Sequence, residues 1–262
     1  MYFTLILALD ILFRMKLVVV VPTYNEKGNV ENLINSLEAV FLKISGWDKN
    51  ILIVDDNSPD GTAKIVEQLS KEYKNVHLLL HRKKSGLGAA YLAGMKEAFG
   101  KLRADAVIVM DADLSHSPLY LPMFVDQINK GSDFVVGSRY IKGGAIPKNW
   151  GLHRKFLSYF GNKTTSFLVG KKNLNDWTSG YRAIKKEVYE KVVPQIEGNK
   201  RFRGYTFNIS FAYHVCESGF TTSQVPIKFT DRTQGKSKLG LEYLFHTPIF
   251  LIHIRLNKLF KV

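Results

Sequence analysis

The first 139 residues repeat one local pattern, in which a run of Val, Ile and Leu leads into polar turn residues and then into an amphipathic helix. Such runs are Leu17 to Val21, Ile51 to Val54, Val76 to Leu80, Ala106 to Met110 and Phe134 to Val136. Strands that are apolar at every position are buried on both faces, which is typical of parallel sheets covered by helices. The pattern predicts an α/β fold with a mostly parallel sheet flanked by helices, and it excludes disordered and collagen-like chains.

After Lys142 the pattern is less regular. The spacing of apolar residues there predicts helices at about 153–169 and 205–216 and a strand at Val225 to Phe229. We therefore expect a main domain over residues 15–238.

Both ends of the chain are apolar, but neither resembles a spanning helix. Residues 1–14 contain Asp10 and lack a basic leader, so they fit a short interfacial helix or an upstream start codon, and whether the fold needs them stays open. Residues 239–262 are interrupted by Pro248 and by charged residues, and Lys258 suits a helix in the membrane interface. Packing of that C-terminal amphipathic helix on its own domain is the alternative.

The net charge of +14 lies entirely in the second part of the chain. Residues 1–139 hold 16 Lys and Arg and 16 Asp and Glu, whereas residues 140–262 hold 21 and 7. Nucleic acid, a membrane surface and a phosphorylated substrate are all anionic partners for such a region, and charge alone does not choose among them. The single cysteine, Cys216, excludes a disulfide framework and a CxxC zinc site.

Charged residues stand where predicted strands end. Asp55 and Asp56 end one strand, Asp111 and Asp113 end another, and Arg139 follows a third. Ligands of open parallel sheets bind at the carboxyl ends of the strands. The second aspartate pair flanks a single residue, and hard carboxylate oxygens favour Mg²⁺ or Mn²⁺ over zinc. The alternative is that this pair only caps the following helix.

Five ordered motifs give the chain a family resemblance. They are Pro22-Thr23-Tyr24-Asn25-Glu26, Asp55-Asp56-Asn57-Ser58-Pro59-Asp60-Gly61-Thr62, Asp111-Ala112-Asp113-Leu114-Ser115-His116, Gly137-Ser138-Arg139-Tyr140, and Arg232 with Gly235-Lys236-Ser237-Lys238. With these motifs, over roughly residues 16–239, the chain resembles family-2 inverting glycosyltransferases, and within them the dolichyl- and polyprenyl-phosphate mannosyltransferases (dolichol-phosphate mannose synthase). The resemblance implies a GT-A fold, a nucleotide-sugar donor and a Mg²⁺ or Mn²⁺ ion. Some relatives carry Gln at the position of Ser115.

The resemblance also implies roles for individual residues. The metal ligands are expected to be Asp111 and Asp113, and the catalytic residues Asp113, Arg139 and Arg232. The nucleotide-sugar site is expected to contain Pro22, Tyr24, Glu26, Val54, Asp56, Asp111, Ala112, Asp113, Arg139, Arg232 and Lys238. The acceptor phosphate is expected to meet Arg139, Arg154 and Arg182. Taken singly, Tyr24 also fits a surface aromatic, and Glu26 fits an acid in a first helical turn.

The region where enzymes that glycosylate sugar hydroxyls place a general base carries no carboxylate here. No Asp or Glu lies between Glu197 and Glu217, and the QxxRW signature of processive synthases is absent. A neutral hydroxyl must lose its proton as it attacks, whereas a phosphomonoester, with a second pKa of about 6, is already anionic at neutral pH. We therefore expect a lipid phosphate as acceptor, and direct in-line displacement that inverts the anomeric centre.

The leading hypothesis is transfer of mannose from GDP-mannose to dolichyl or polyprenyl phosphate, giving a β-linked lipid-phosphate mannose. GDP and mannose rest on the resemblance alone. We expect a peripheral enzyme on the cytoplasmic face of a membrane, the ER membrane in a eukaryote or the cell membrane in a prokaryote. A small membrane-embedded subunit is an expected partner, and nucleic acid is not. The alternatives are a UDP-glucose or other UDP-sugar transferase with the same acceptor, and a non-catalytic basic protein that binds membrane or nucleic acid.

Overall fold

The structure, a computed structural model, describes residues 14–82, 86–197, 205–231 and 242–260. Within these residues one sheet contains the strands β1 (Met15–Thr23), β2 (Trp47–Asp55), β3 (Val76–Leu80), β4 (Ala106–Val109), β5 (Phe134–Ser138), β6 (Arg182–Lys185) and β7 (Thr222–Pro226). The helices are α1 (Val30–Phe41), α2 (Thr62–Glu72), α3 (Leu87–Gly100), α4 (Leu121–Asn129), α5 (Leu152–Val169), α6 (Lys186–Ile196), α7 (Tyr205–Glu217) and α8 (Glu242–Phe260), with a short 3₁₀ turn at Pro118–Tyr120.

The strand order is β3-β2-β1-β4-β6-β5-β7. β6 is antiparallel to both of its neighbours, and the other neighbouring pairs are parallel. The predicted mostly parallel α/β sheet is therefore confirmed. The sequence pattern did not predict β6 and α6, because β6 has only four residues and is defined by its pairing between β4 and β5.

The last strand lies earlier in the chain than predicted. β7 ends at Pro226, whereas the apolar run suggested a strand from Val225 to Phe229. Ile227 is buried against the core without belonging to the ladder, and within the described ranges a single bridge, Ala145 with Lys228, continues the pairing. Burial and strand pairing are therefore offset by a few residues here.

Alternate residues of β1 face two separate apolar layers. Leu17 and Val19 pack with α1, α2 and α4, whereas Val18 and Val20 pack with α3, α6 and α7. All four side chains are buried, which explains why the strand is apolar at every position. α3 approaches the sheet so closely that a Cβ on Gly94 would collide with Val20.

The C-terminal helix α8 packs on the domain along one face only. Leu251 and Ile254 are buried, and the helix contacts α5 and α7. Ile249 and Ile252 are more than half exposed on the same helix. None of the helices in the described ranges is long and apolar enough to cross a bilayer. Of the predicted leader, residues 1–13 lie outside the described part of the chain.

Candidate active site

The carboxyl ends of β1 and β4 form the natural ligand crevice of this sheet. The order β2-β1-β4 places sequentially distant strands side by side, and α1 and α3 cover opposite faces. Such a topological switch point leaves a crevice between the loops that follow the strands. Three of the predicted motifs follow β1, β2 and β4, so the fold brings them to one edge of the sheet.

The loops after β1 and β2 are joined by hydrogen bonds. The N–H of Asn25 donates to Ser58 Oγ at 2.9 Å, and the N–H of Glu26 donates to Thr62 Oγ1 at 3.1 Å. Asn25 and Asn57 both have left-handed backbone, with φ of 57° and 59°. Asn tolerates this conformation better than most residues, so the Asn of each motif fits its turn.

Asp55 and Asp56 are adjacent in the sequence, but their carboxylates have different hydrogen-bond partners. Asp55 is fully buried, and its carboxylate accepts from Thr23 Oγ1 at 2.9 Å and from the N–H of Ser58 at 2.8 Å. It therefore holds the loop together. The carboxylate of Asp56 lies 2.7 Å from Nδ1 of His81 and accepts from the N–H of Gly86 at 3.0 Å.

Asp56 is the residue that we expected to bind the nucleobase, and it stands at the carboxyl end of β2 with the other residues of that expected pocket. The rest of the predicted base and ribose pocket lies nearby in the sheet. Val54 is buried opposite Pro22 in the ladder of β1 and β2, and Tyr24 is partly buried. Ala112, between the two aspartates in sequence, is buried, and Glu26 accepts from the Asn29 amide at 2.9 Å.

The motif after β4 is held from two sides. Tyr91 on α3 donates its hydroxyl to Asp111 Oδ1 at 2.9 Å. The N–H of Asp111 donates to Nδ1 of His116 at 3.1 Å, so that nitrogen is the acceptor and the ring proton sits on Nε2. Burial lowers the pKa of His116 despite the nearby carboxylates of Asp111 and Asp113. The imidazole is therefore a neutral support for the aspartate loop.

The second aspartate of the motif lies deeper than the first. Asp113 is 5% exposed and accepts from the N–H of Ser115 at 3.1 Å, whereas the Asp111 side chain is about one third exposed. Leu114, which follows Asp113, has φ of 61°, which is unusual for a bulky side chain and marks strain at this turn. Among the residues that the structure describes, the Oγ of Ser115 finds no hydrogen-bond partner although it is buried. A ligand at this turn would satisfy that hydroxyl.

These donors fit a hard divalent cation. Asp111 and Asp113 supply carboxylate oxygens, and the unsatisfied Ser115 hydroxyl offers another oxygen close to them. In the described part of the chain, no group of three or more His, Cys, Asp or Glu is arranged to hold a metal. A Mg²⁺ or Mn²⁺ ion would therefore take its remaining oxygens from a bound diphosphate and from water.

Arg139, at the end of β5, is bound by a carboxylate that the sequence motifs did not include. Its Nε and Nη2 donate to Asp176 at 2.7 Å each, and Nη2 also donates to Thr178 Oγ1 at 2.8 Å. Asp176 is fully buried. Burial alone raises its pKa, but the charge and hydrogen bonds of Arg139 outweigh burial and hold the pKa of Asp176 below its usual value. The sequence contains one signal that could have pointed to this carboxylate, since Asp176 is the only acid between Asp133 and Glu187.

The position of Arg182 contradicts its predicted contact with the acceptor phosphate. The side chain is 2% exposed, and its N–H groups donate to three backbone carbonyls, those of Ser179, Asn208 and Trp177. Burial lowers its pKa to about 10. Arg182 therefore ties the 177–179 loop to α7 from inside the domain.

Of the other cationic side chains predicted for the site, one lies in the described part of the chain and two lie outside it. Arg154, in the first turn of α5, lies over the ring of Trp150 at 3.8 Å and 3.7 Å from Asp231, and it is more than one third exposed. It is therefore accessible to an anionic ligand. Arg232 and Lys238 lie outside the described residues.

Comparison with known proteins identifies the family of the chain. The model of glycosyl transferase family 2 matches residues 18–193. A polyprenol monophosphomannose synthase of Mycolicibacterium smegmatis is 38% identical over 224 residues, which is 85% of this chain and 80% of the relative. A dolichol-phosphate mannosyltransferase of Pyrococcus furiosus is 35% identical over 242 residues, 88% of this chain but 62% of the relative. The chain thus spans less than two thirds of that second protein.

Solved structures agree on the fold. Glucosyl-3-phosphoglycerate synthase from Mycobacterium tuberculosis, in complex with Mn²⁺, uridine diphosphate and phosphoglyceric acid, matches with a TM-score of 0.63 at 16% identity, covering 95% of this chain and 80% of that chain. The same enzyme with Mg²⁺ and uridine diphosphate matches with a TM-score of 0.61 at 17% identity, covering 95% and 81%. The predicted GT-A fold is confirmed. Because the family model extends from β1 into α6 and the relatives are 35% and 38% identical, the chain belongs to glycosyl transferase family 2 and is a glycosyltransferase.

Proposed function

We propose that this glycosyltransferase moves mannose from GDP-mannose to a polyprenyl or dolichyl phosphate, with inversion at the anomeric carbon. The names of the two relatives support mannosyl transfer to a lipid phosphate. GDP as the nucleotide rests on the motif resemblance. A UDP-sugar donor with the same acceptor is the rival that the experiment below must separate.

The observation that carries the proposal is the state of the carboxylate beside Arg139. A general base for a neutral hydroxyl needs a pKa near the working pH and a free proton-accepting oxygen. Asp176 is bonded through both oxygens to Arg139, and its pKa is held low. α7, which begins near this loop, carries no acid before Glu217 at its far end. An acceptor that arrives deprotonated, as a phosphomonoester does, removes the need for a base.

On the donor side, the chain's own residues bind and orient the nucleotide diphosphate. In this proposal Asp56, which accepts from the N–H of Gly86, also accepts from the base, and the loops after β1 and β2, joined by the hydrogen bond from Asn25 to Ser58, hold the ribose. Tyr91 and His116 fix Asp111 from two sides. When bound, a divalent cation held by Asp111 and Asp113 supplies charge neutralisation for the departing nucleoside diphosphate.

On the acceptor side, the cations must offset two anions that approach each other. Arg139 is largely neutralised by Asp176, so it orients the loop and contributes a polarised guanidinium edge rather than a full positive charge. Arg154, together with Arg232 and Lys238 from the motif, provides the remaining positive field. The bias of the charge toward residues 140–262 fits this need.

A transfer assay with paired donors and acceptors tests the proposal. Radiolabelled GDP-mannose and UDP-glucose are each offered with a short prenyl phosphate and with the matching prenol, in the presence of Mn²⁺. We expect product only from GDP-mannose with the phosphate, and a rate that falls as pH drops below about 6 because the acceptor becomes a monoanion. Transfer to the prenol would contradict the base-free mechanism, and a preference for UDP-glucose would contradict the donor.

The proposal includes a location. A lipid phosphate acceptor requires work at a bilayer surface, and we place the enzyme on the cytoplasmic face, where nucleotide sugars are made available, with a small membrane-embedded subunit as a partner. Purification of the native enzyme with its associated membrane proteins tests this part. Full recovery of the chain in the washed soluble fraction would contradict it.

A further inference from the structure

Strand β6 lies between the strand that leads into the acidic motif and the strand that leads into Arg139. Its first residue, Arg182, pairs with Val109 of β4 on one side and with Val136 of β5 on the other. Because β6 is antiparallel to both neighbours, the residues that precede it lie at the carboxyl ends of β4 and β5. Residues 176–181, which we call the 176–181 loop, therefore enter the gap between two strand ends that are about 10 Å apart.

The first half of the 176–181 loop is fastened to Arg139. Asp176 accepts from the main-chain N–H of Arg139 at 3.1 Å as well as from its guanidinium. Thr178 Oγ1 accepts from Nη2 of the same arginine at 2.8 Å, and the N–H of Ser179 donates to Asp176 Oδ1 at 3.2 Å. Since the loop binds both the backbone and the side chain of Arg139, a displacement of the loop displaces the arginine.

The last residue of the 176–181 loop is fastened to the motif after β4. Tyr181 is fully buried, and its ring stacks on the imidazole of His116 with the ring centres 5.0 Å apart. Its hydroxyl donates to the carbonyl of Ser117 at 3.1 Å. His116 in turn accepts from the N–H of Asp111. The loop thus contacts the acidic motif at two of its residues and supports Asp111 through one of them.

Gly180 brings the loop closest to the carboxylates. A Cβ built on Gly180 would lie 3.1 Å from the hydroxyl oxygen of Tyr91, 3.6 Å from Cε1 of His116 and 3.7 Å from Oδ1 of Asp111. The first distance is shorter than an ordinary carbon contact, whereas the other two are ordinary. The backbone of Gly180 is not left-handed, so conformation does not require a glycine here. The requirement is space, because the hydroxyl that holds Asp111 lies where a side chain would begin.

We propose that the 176–181 loop holds Asp111 and Arg139 at a fixed separation, and that Gly180 is a positioning residue because its missing side chain lets the loop approach Tyr91 and Asp111. This rests on the proposed function, in which Asp111 serves the donor and Arg139 the acceptor. Transfer requires the reacting atoms to come within about 3–3.5 Å of each other, and an error of about 1 Å can cost a hundredfold in rate. The separation of the two groups therefore affects catalysis directly.

A matched pair of glycine variants tests the proposal in the full chain. Gly180→Ala adds the Cβ that meets Tyr91, whereas Gly100→Ala, at the exposed end of α3, adds a Cβ that meets nothing within 4 Å among the described residues. Neither glycine has left-handed backbone, so both variants should fold. Calorimetry with GDP and Mn²⁺ gives the donor-side Kd, and radiolabel transfer gives kcat and the KM for a short prenyl phosphate.

We expect Gly180→Ala to raise both the Kd for GDP with Mn²⁺ and the KM for the prenyl phosphate by at least about threefold, and to lower kcat/KM by about tenfold or more. Gly100→Ala should leave all three unchanged. A fraction of unfolded protein would lower kcat at unchanged KM, which separates positioning from a loss of fold. Equal values in the two variants, or an effect of Gly180→Ala on the donor side alone, would overturn the proposal.

A second substitution at the point of contact sharpens the test. Tyr91→Phe removes the hydroxyl that the new Cβ would meet, so the double variant with Gly180→Ala is free of the short contact. We expect its KM for the prenyl phosphate to return to within about twofold of wild type, while its affinity for GDP with Mn²⁺ stays at that of Tyr91→Phe alone. An acceptor KM that stays raised in the double variant would contradict the link across the loop.

Failure of the loop proposal and failure of the proposed function give different results. If the wild type binds UDP with Mn²⁺ and not GDP, the proposed donor is wrong, and the same variants are compared with UDP. If the wild type transfers mannose from GDP-mannose and Gly180→Ala behaves like Gly100→Ala, the proposed function stands and the loop proposal is wrong.

Discussion

In the loops after β1, β2 and β4, carboxylates are hydrogen-bonded by neutral N–H and O–H groups of their own chain, whereas the loop after β5 pairs its arginine with a buried carboxylate. The first region therefore keeps a cluster of negative charge, which favours a cation, and under the proposed function that cation offsets the charge of the diphosphate. The second region neutralises a charge inside the protein and leaves other cations to meet the acceptor. Under the proposed function, the two sides of the site use aspartate for different purposes, ligand binding in Asp113 and loop positioning in Asp176.

The largest expected effect tests the donor region. Asp113→Asn removes a ligand charge without changing shape, so we expect transfer to fall by about a hundredfold or more, because the departing diphosphate loses its cation. Asp126→Asn, at an exposed carboxylate paired with Lys130, is the control and should keep its activity. Initial rates with saturating donor and Mn²⁺ measure both. Unchanged melting temperature with retained activity in Asp113→Asn would remove the metal role.

The next effect tests the loop-positioning aspartate. Asp176→Asn leaves the buried Arg139 without its counter-charge, so we expect a loss of about 3–5 kcal/mol in the free energy of unfolding. Urea denaturation measures the loss, and Asp126→Asn should cost less than about 0.5 kcal/mol since its pair is exposed. Equal, small losses in both variants would show that Asp176 is not a positioning residue.

The pH dependence of that variant gives a second measurement. Because the pKa of Asp176 is lower in the folded protein, its contribution is complete above the unfolded value of about 3.9 and is lost as pH falls through the folded pKa. The Asn variant should therefore lose less stability on acidification than the wild type. An equal loss of unfolding free energy at acid pH in both proteins would contradict the pairing of Asp176 with Arg139.

A smaller effect tests whether the hydroxyl of Tyr91 positions the carboxylate of Asp111. Tyr91→Phe removes only the hydroxyl that donates to Asp111 Oδ1, so we expect about tenfold weaker Mn²⁺-dependent nucleotide binding by calorimetry and a stability cost of about 1 kcal/mol. Tyr73→Phe, which removes a hydrogen bond to Asn35 on the surface, is the matched control. Identical nucleotide binding in both variants would show that Asp111 is held without Tyr91.

The smallest effect lies outside the site. His77 on β3 contacts Asn50 at 3.0 Å, and burial, aided by the charge of Lys16, lowers its pKa. The unfolded chain takes up the proton first as pH falls below about 6.5, so this residue contributes to stability above that pH and loses the contribution below it. His77→Gln should flatten the stability profile between about pH 7 and 5. An unchanged slope would contradict the burial effect.

Prediction from sequence succeeded for the loops at the strand ends, where the motif residues also determine the local backbone. The turn residues Asn25 and Asn57 adopt the left-handed conformation that their turns require, and they stand next to the residues that we propose as ligands. It failed where a role depends on packing. Arg182 has the same chemistry in the sequence as Arg154, yet the fold buries one and exposes the other.

By itself, the sequence determined the parallel α/β layers, the three acidic loops at the strand ends and the absence of an acid between Glu197 and Glu217, because periodicity, turn chemistry and residue type are local properties. Only the tertiary structure decided that Asp176 pairs with Arg139, 37 residues away, that β6 runs antiparallel between β4 and β5, and that the apolar face of α5 points outward. These features depend on which distant segments meet, and a contact between distant segments leaves no periodic trace in either one.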